Sequence, residues 1–301
     1  MVERCPDKTE VEGPIPSTRT VSLTNAWERV ACATRVKESE SFSLQTRTCP
    51  RLPKRYTVHV MEDSFWLLRD KYNGVPSADF ARDVQLLESG VPLAYVIGWV
   101  PFLDAKIYLD SKPLIPRPET EYWTAVAIKE LQSSSLKNPK VLDLCAGSGC
   151  VGIAVAKKIP DAEVHFIEID PAHHSTIRKN ILENDIDEKR TRILGGDLFE
   201  YAENNYDMIL ANPPYIATAL SSRVDQNVLA HEPKQALWAG EDGMNFIKKI
   251  IDLAPKYLSK NGVLYIEHEP EQVEKIQALN PQIKTFEDQF GIMRFSRLEN
   301  N

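Results

Sequence analysis

The period of the apolar positions changes several times along this chain, and each change marks a boundary. Over residues 61–92, Phe65 and Leu68, then Phe80, Val84 and Leu87, recur at helical spacing, and Gly90-Val-Pro92 supplies a stop. From Ala94 to Pro116 the pattern turns to short alternating stretches, Tyr95-Val-Ile97 and Lys106-Ile-Tyr-Leu109, interrupted by Gly98 and Pro101. It predicts a β-hairpin between two domains, with its strands on those stretches. A helix is predicted over 119–131, closed by the polar run 133–139.

Beyond Lys140 the two periods alternate. Strands are predicted at 141–144, 163–169, 191–195, 206–210 and 262–268, and helices at 152–158, 171–184, 244–258 and 271–279. Such alternation implies a mainly parallel sheet covered on both faces. The last two strands, 284–290 and 292–298, are joined at Gly291 too tightly for a crossover, so they must be antiparallel. The fourth strand is expected beside the first. The expected organisation is therefore an extension over 1–55, a helical domain over 56–93, a hairpin linker with its connecting helix over 94–136, and an α/β domain over 137–301.

Charge and cysteine content narrow the possibilities. Residues 1–60 hold 10 Lys+Arg against 7 Asp+Glu, whereas residues 137–301 hold 19 against 25. The acidic C-terminal half argues against tight non-specific nucleic-acid binding, which requires clustered cations to displace counterions. No apolar run approaches the roughly 18 residues of a membrane span. Five cysteines without a repeated CxxC spacing read as free thiols rather than a disulfide or zinc framework, and no metal site is expected. The first 55 residues are rich in Ser, Thr, Arg and Pro, as a targeting segment would be, although Glu3, Asp7, Glu10 and Glu12 depart from the acid-poor pattern.

Three motifs carry chemistry. Asp143-Leu-Cys-Ala-Gly-Ser-Gly149 joins the first strand of the sheet to its first helix, where a Gly-rich turn lets a ligand approach the backbone. Glu168, 21 residues after Gly147, ends the second strand, where a carboxylate can accept both hydroxyls of a ribose. Asp197-Leu198 ends the third and could border an adenine. Asn212-Pro-Pro-Tyr215 ends the fourth. An Asn side-chain oxygen and the Pro213 carbonyl can each accept one N–H of a planar NH2 group, the two prolines stiffen the turn, and Tyr215 offers a flat face. A single Gly-rich turn opposed to a held NH2 group points to S-adenosylmethionine and methyl transfer rather than to a dinucleotide. Leu114-Ile-Pro-Arg-Pro-Glu-Thr-Glu121 opens a helix with acids in its first turn. His173 and His174 lie on a polar helix and are expected to be solvated.

Taken with Tyr95-Val-Ile-Gly98 and Phe102, these motifs resemble the HemK/PrmC family, which methylates the glutamine side-chain amide of the Gly-Gly-Gln tripeptide in class I peptide-chain release factors. The similarity runs from about Trp66 to Leu298 and includes His231-Glu-Pro233 and Ile266-Glu-His268. The resemblance implies a class I S-adenosylmethionine-dependent methyltransferase: a Rossmann-like seven-stranded domain, a β-hairpin linker and a small N-terminal helical domain that recognises substrate. It places Cys145, Ala146, Gly147, Ser148, Gly149, Glu168, Asp197, Leu198 and Asn212 around the cofactor. It also places Asn212, Pro213, Pro214 and Tyr215 around the glutamine, with Asn212, Pro213 and Tyr215 catalytic. Cys145 stands where many members carry Gly, and its side chain fits there if its φ is negative. The Asp-Leu-Cys form resembles fungal and mitochondrial members, so a mitochondrial location is expected, with the cytoplasm as the alternative. A nucleic-acid amino-methyltransferase, such as an N6-adenine enzyme, and a silent methyltransferase-like binding subunit remain as alternatives.

Overall fold

The computed structural model describes residues 57–301; the expected extension over 1–55, with Cys5, Cys32 and Cys49, lies outside them. The described residues fall into two compact units, one ending at Gln85 and the other beginning at Leu86. In the first, helix α1 (Thr57–Asp70) is followed by a turn and by α2 (Ala78–Glu88), which begins in this unit. Leu67, Phe80 and Val84 are buried. A polar clasp spans the turn: the Tyr72 hydroxyl and the Lys71 ammonium both donate to Asp83 Oδ2 at 2.7 Å, while the Tyr72 ring meets Phe80 edge-on.

The second unit departs at once from the expected hairpin. Leu93–Ile97 is a short helix, α3, and not a strand. Pro92 sets φ at −55° at its entry, and Gly98, at φ +92°, closes it by donating its N–H to the Ala94 carbonyl. The first strand falls later, at β1 (Trp99–Phe102), while the second, β2 (Ala105–Tyr108), lies on the Lys106–Leu109 stretch, and the two pair antiparallel. The free edge of β2 is satisfied by side chains. Helix α6 (Pro171–Glu183) supplies Asn180, which accepts the Tyr108 N–H at 2.7 Å and donates to the Tyr108 carbonyl at 3.1 Å. Asn184, four positions on, does the same for Lys106 at 3.0 and 2.8 Å. The i, i+4 spacing puts both amides on one face, where they imitate a neighbouring strand. The hairpin is thus bound to the α/β unit.

Helix α4 (Pro118–Ser133) leads into the sheet. Its strands are β3 (Lys140–Leu144), β4 (Glu163–Glu168), β5 (Thr191–Gly195), β6 (Tyr206–Ala211), β7 (Leu258–Glu267), β8 (Lys284–Glu287) and β9 (Met293–Glu299), in the spatial order β5-β4-β3-β6-β7-β9-β8. The fourth strand of the sheet, β6, does lie beside the first, β3, and β9 runs antiparallel to β8, as expected, and also to β7. Strand residues alternate between two cores. Val141, Met208, Leu210, Val263 and Tyr265 pack with α4, α5 (Cys150–Lys158) and α6. Leu142, Leu144, Ile209, Ala211, Leu264 and Ile266 pack with α8 (Asn245–Tyr257) and α9 (Val273–Leu279), helices that follow a short α7 (Gln226–His231). Apolar side chains on both faces explain why the central strands read as continuous hydrophobic runs. Strand order reverses at β3, so the carboxyl ends of β3, β4 and β6 open onto one crevice.

Gly152, in the first turn of α5, lets that helix approach β4. A Cβ there would overlap the ring of Phe166, which is fully buried, and stand 3.0 Å from Asp143 Cβ. Gly152→Ala should therefore destabilise the protein by about 1–3 kcal/mol through overpacking, read as a lower urea midpoint with unchanged slope.

Candidate active site

The cofactor side of the crevice is built by two turns and one acid. Between β3 and α5 the backbone takes positive φ at Cys145 (+60°), Gly147 (+55°) and Gly149 (+78°). The condition that φ at Cys145 be negative is therefore not met. The turn needs a left-handed residue there, which explains why a glycine suits the position, and burial drives the pKa of its thiol upward. Glu168, at the end of β4, accepts the Gly147 N–H at 2.7 Å through Oε2 and the Asp170 N–H at 2.8 Å through Oε1. Each oxygen keeps a second lone pair, and both can still accept ribose hydroxyls.

A narrow pocket of about 160 Å³ opens here, walled by Cys145, Gly147, Glu168, Asp197, Leu198 and Asn212. Ala146, Ser148 and Gly149 do not reach its wall. They shape the turn instead, Ser148 through its carbonyl, which accepts from Asn180 Nδ2 at 2.9 Å, and Gly149 as the residue before α5. The donor set fits a nucleoside: an acid for the ribose beside Ile169, a large apolar residue left 59% exposed on the pocket wall. His173 is not solvated as expected. It is buried on the same wall, with Nδ1 2.8 Å from Ser111 Oγ, while His174 Nε2 lies 2.9 Å from the Glu168 carbonyl.

On the other side of Asn212 lies a larger cavity of about 520 Å³. Asn212 lines both cavities, Pro213 and Tyr215 face the larger one, and Pro214 faces the cofactor pocket. The far wall comes from residues 216–242, a stretch for which the hydrophobic pattern predicts no elements. It is tied back by a parallel bridge between Ile216 and Trp238.

Beneath this loop sits Glu267, 1% exposed at the end of β7. Its Oε2 accepts from Thr120 Oγ1 at 2.7 Å and Trp123 Nε1 at 2.6 Å; its Oε1 accepts from the Tyr215 hydroxyl at 2.9 Å. Thr120 Oγ1 in turn accepts from Asn212 Nδ2 at 3.1 Å. Burial raises the pKa of Glu267, and burial beside Glu267 pushes the Tyr215 phenol well above its usual range. Glu232, 5% exposed, clamps the Ile115–Arg117 strap: it accepts the Ile115 N–H at 3.1 Å and pairs with Arg117 at 2.6 Å. Glu121 is turned away from the cavity and accepts the Leu103 N–H of the hairpin turn. Glu267, Trp123 and Glu232 had no assigned role in the sequence. The available signal was an acid ending an otherwise apolar strand (Glu267), the arrangement that makes Glu168 conspicuous.

Residues 119–240 match the family described as methyltransferase small domain. The chain is 34% identical to the release factor glutamine methyltransferase of Bordetella pertussis (strain Tohama I), over 82% of this chain and 94% of that protein. The chain belongs to the release factor glutamine methyltransferase family. A Flavobacterium psychrophilum protein of the same name is 37% identical over 60% of this chain, and the chain spans 64% of its length. The solved hMettl16 catalytic domain, in complex with MAT2A 3'UTR hairpin 6, shares the fold: TM-score 0.51 over 74% of this chain and 81% of that one, at 14% identity. Among the described residues of this family member, no cluster of His, Cys, Asp and Glu could hold a metal ion, and no helix is long and apolar enough to cross a membrane.

Two outcomes follow. Glu168→Ala should weaken S-adenosylmethionine binding by about 1.5–3 kcal/mol, the scale of hydrogen bonds to a charged group, measured by calorimetric titration. Cys145→Gly should keep cofactor affinity and hold or raise stability by up to ~1.5 kcal/mol. It removes a left-handed penalty of about 1–2 kcal/mol but adds roughly 0.5–1 kcal/mol of chain entropy. Thermal unfolding of the two proteins compares them.

Proposed function

We propose that the protein transfers a methyl group from S-adenosylmethionine to the side-chain amide nitrogen of the glutamine in the Gly-Gly-Gln tripeptide of a class I release factor. The observation that carries this reading is the position of Asn212 on the wall shared by the nucleoside-fitting pocket and the larger cavity. Bound at Glu168, S-adenosylmethionine supplies an electrophilic sulfonium methyl. Asn212 Oδ1 and the Pro213 carbonyl accept the two N–H groups of the glutamine, orienting the NH2 group and building electron density on nitrogen. Tyr215 packs against the amide plane. Methyl transfer would form the N–C bond as the S–C bond broke, leaving S-adenosylhomocysteine, and the nitrogen, acidic only at that stage, would give one proton to water. Glu267 is unsuited to act as the base, because it is buried beneath the loop and lines neither cavity.

Charge at the larger cavity favours a protein substrate over a nucleic acid. Its three cations, Arg117, Arg223 and Lys275, are each paired, with Glu232, Glu271 and Asp242. Four acids, Glu241, Asp242, Glu269 and Glu271, share the lining, so no cationic track is left for phosphates. The Ser-, Thr- and Arg-rich segment 1–55 and the Asp-Leu-Cys form of the nucleotide turn support a mitochondrial location; imaging of the tagged full-length chain tests it.

Radiolabelled methyl transfer to purified release factor, with mapping of the modified residue, tests the reaction. Label on DNA or RNA but not on release factor would overturn it. Asn212→Ala should lower kcat by at least about 2–3 kcal/mol of transition-state stabilisation while cofactor affinity falls much less.

A further inference from the structure

We propose that Thr120 and Glu267 set the substrate preference of this site, by fixing which end of the Asn212 amide faces the reacting group. This inference rests on the glutamine reading above and deepens it. An asparagine side chain has a near-symmetrical shape, and rotation by half a turn exchanges an acceptor oxygen for a donor NH2. Only the oxygen-out form suits an NH2 substrate; the reversed form would present donors and suit a carboxylate.

The hydrogen bonds around Glu267 decide between the two. The Trp123 indole can only donate, and it lies 2.6 Å from Glu267 Oε2, so in the ionised carboxylate, as in an acid protonated on Oε1, that oxygen offers only lone pairs to its other neighbour. The Thr120 hydroxyl, 2.7 Å from the same oxygen, must then place its single proton between them. The Thr120 oxygen keeps only lone pairs for its other neighbour. The group it meets at 3.1 Å must therefore be Asn212 Nδ2, and Oδ1 is the atom left for the cavity.

Neither Thr120, Trp123 nor Glu267 lines either cavity. They are positioning residues that act through Asn212. Thr120 and Trp123 stand three apart at the start of α4, on the same helix face, so the Pro-Glu-Thr segment delivers both donors to one carboxylate. Glu267 Oε1 also holds the Tyr215 hydroxyl, so a single buried acid anchors both ends of the Asn212–Tyr215 loop.

The test compares dissociation constants for release factor carrying Gly-Gly-Gln and for its Gly-Gly-Glu variant, on enzyme saturated with S-adenosylhomocysteine so that no turnover intervenes. Wild-type enzyme should strongly prefer Gly-Gly-Gln. Thr120→Val, which keeps the shape and deletes the acceptor, should reduce that preference at least 10-fold, and Thr120→Ser should restore it to within about 3-fold. Glu267→Gln should also retain it, because its carbonyl can accept from Trp123 and Thr120 while its NH2 donates to Tyr215. Should the valine variant fold poorly, Thr120→Ala is read by the same ratio. A purely structural role would weaken both ligands together and leave the ratio unchanged, and that result, or failure of serine to restore it, overturns the inference. If wild-type enzyme does not methylate Gly-Gly-Gln, the glutamine reading falls and this inference falls with it. An active wild type with an unchanged ratio in the valine variant removes this inference alone.

Discussion

A carboxylate sealed from water must gather donors or give up its charge, and Glu267 is the point in this molecule where that constraint organises everything near it. At 1% exposure it meets an indole, a threonine hydroxyl and a phenol, each from a different distance along the chain. Helix α4 must lie across the end of β7 for Thr120 and Trp123 to reach it, and the loop after β6 must curl back for Tyr215 to do so. The position of the Asn212 side chain is a consequence of those contacts. A shift in any of the three would leave a buried polar group unpaired, which is what makes the arrangement rigid.

The same logic explains why the segment before the sheet belongs to the site. Residues 94–136 read as a linker when only periodicity is considered. In the folded chain, Asn180 and Asn184 bond the outer edge of β2, Glu121 holds the hairpin turn, and Glu232 clamps the strap between Ile115 and Arg117. Side chains thus complete backbone hydrogen bonds that a longer sheet would otherwise supply. Held by Glu232, the strap presents Leu114 to both cavities and sets the start of α4.

Particular residues show where sequence reading reached and where it stopped. The strands, their alternation with helices and the antiparallel closing pair were legible, because apolar period and chain length between elements constrain them locally. Tyr95-Val-Ile97 forms a helical turn where the pattern points to a hairpin: three apolar residues carry no period of their own, and Pro92 and Gly98 at the ends decide for the turn. His173 looks solvated on a polar helix, yet Ser111, 62 residues earlier, covers it. Cys145 looked compatible with ordinary backbone, but the turn that brings Gly147 to Glu168 demands a left-handed residue.

What the sequence determined by itself was the chemistry on offer: an acid at the end of β4 after a Gly-rich turn, and Asn212-Pro-Pro-Tyr215 at the end of β6. Such groups are identified by local pattern, since strand ends in an open α/β sheet share one crevice whatever surrounds them. Only the tertiary structure decided which way that chemistry faces. The orientation of the Asn212 amide depends on a threonine 92 residues earlier and a glutamate 55 residues later, and their proton inventory exists only once burial has brought them together. A hydrogen bond between distant residues leaves no period in the chain, because its cause is the exclusion of water from a place that folding creates.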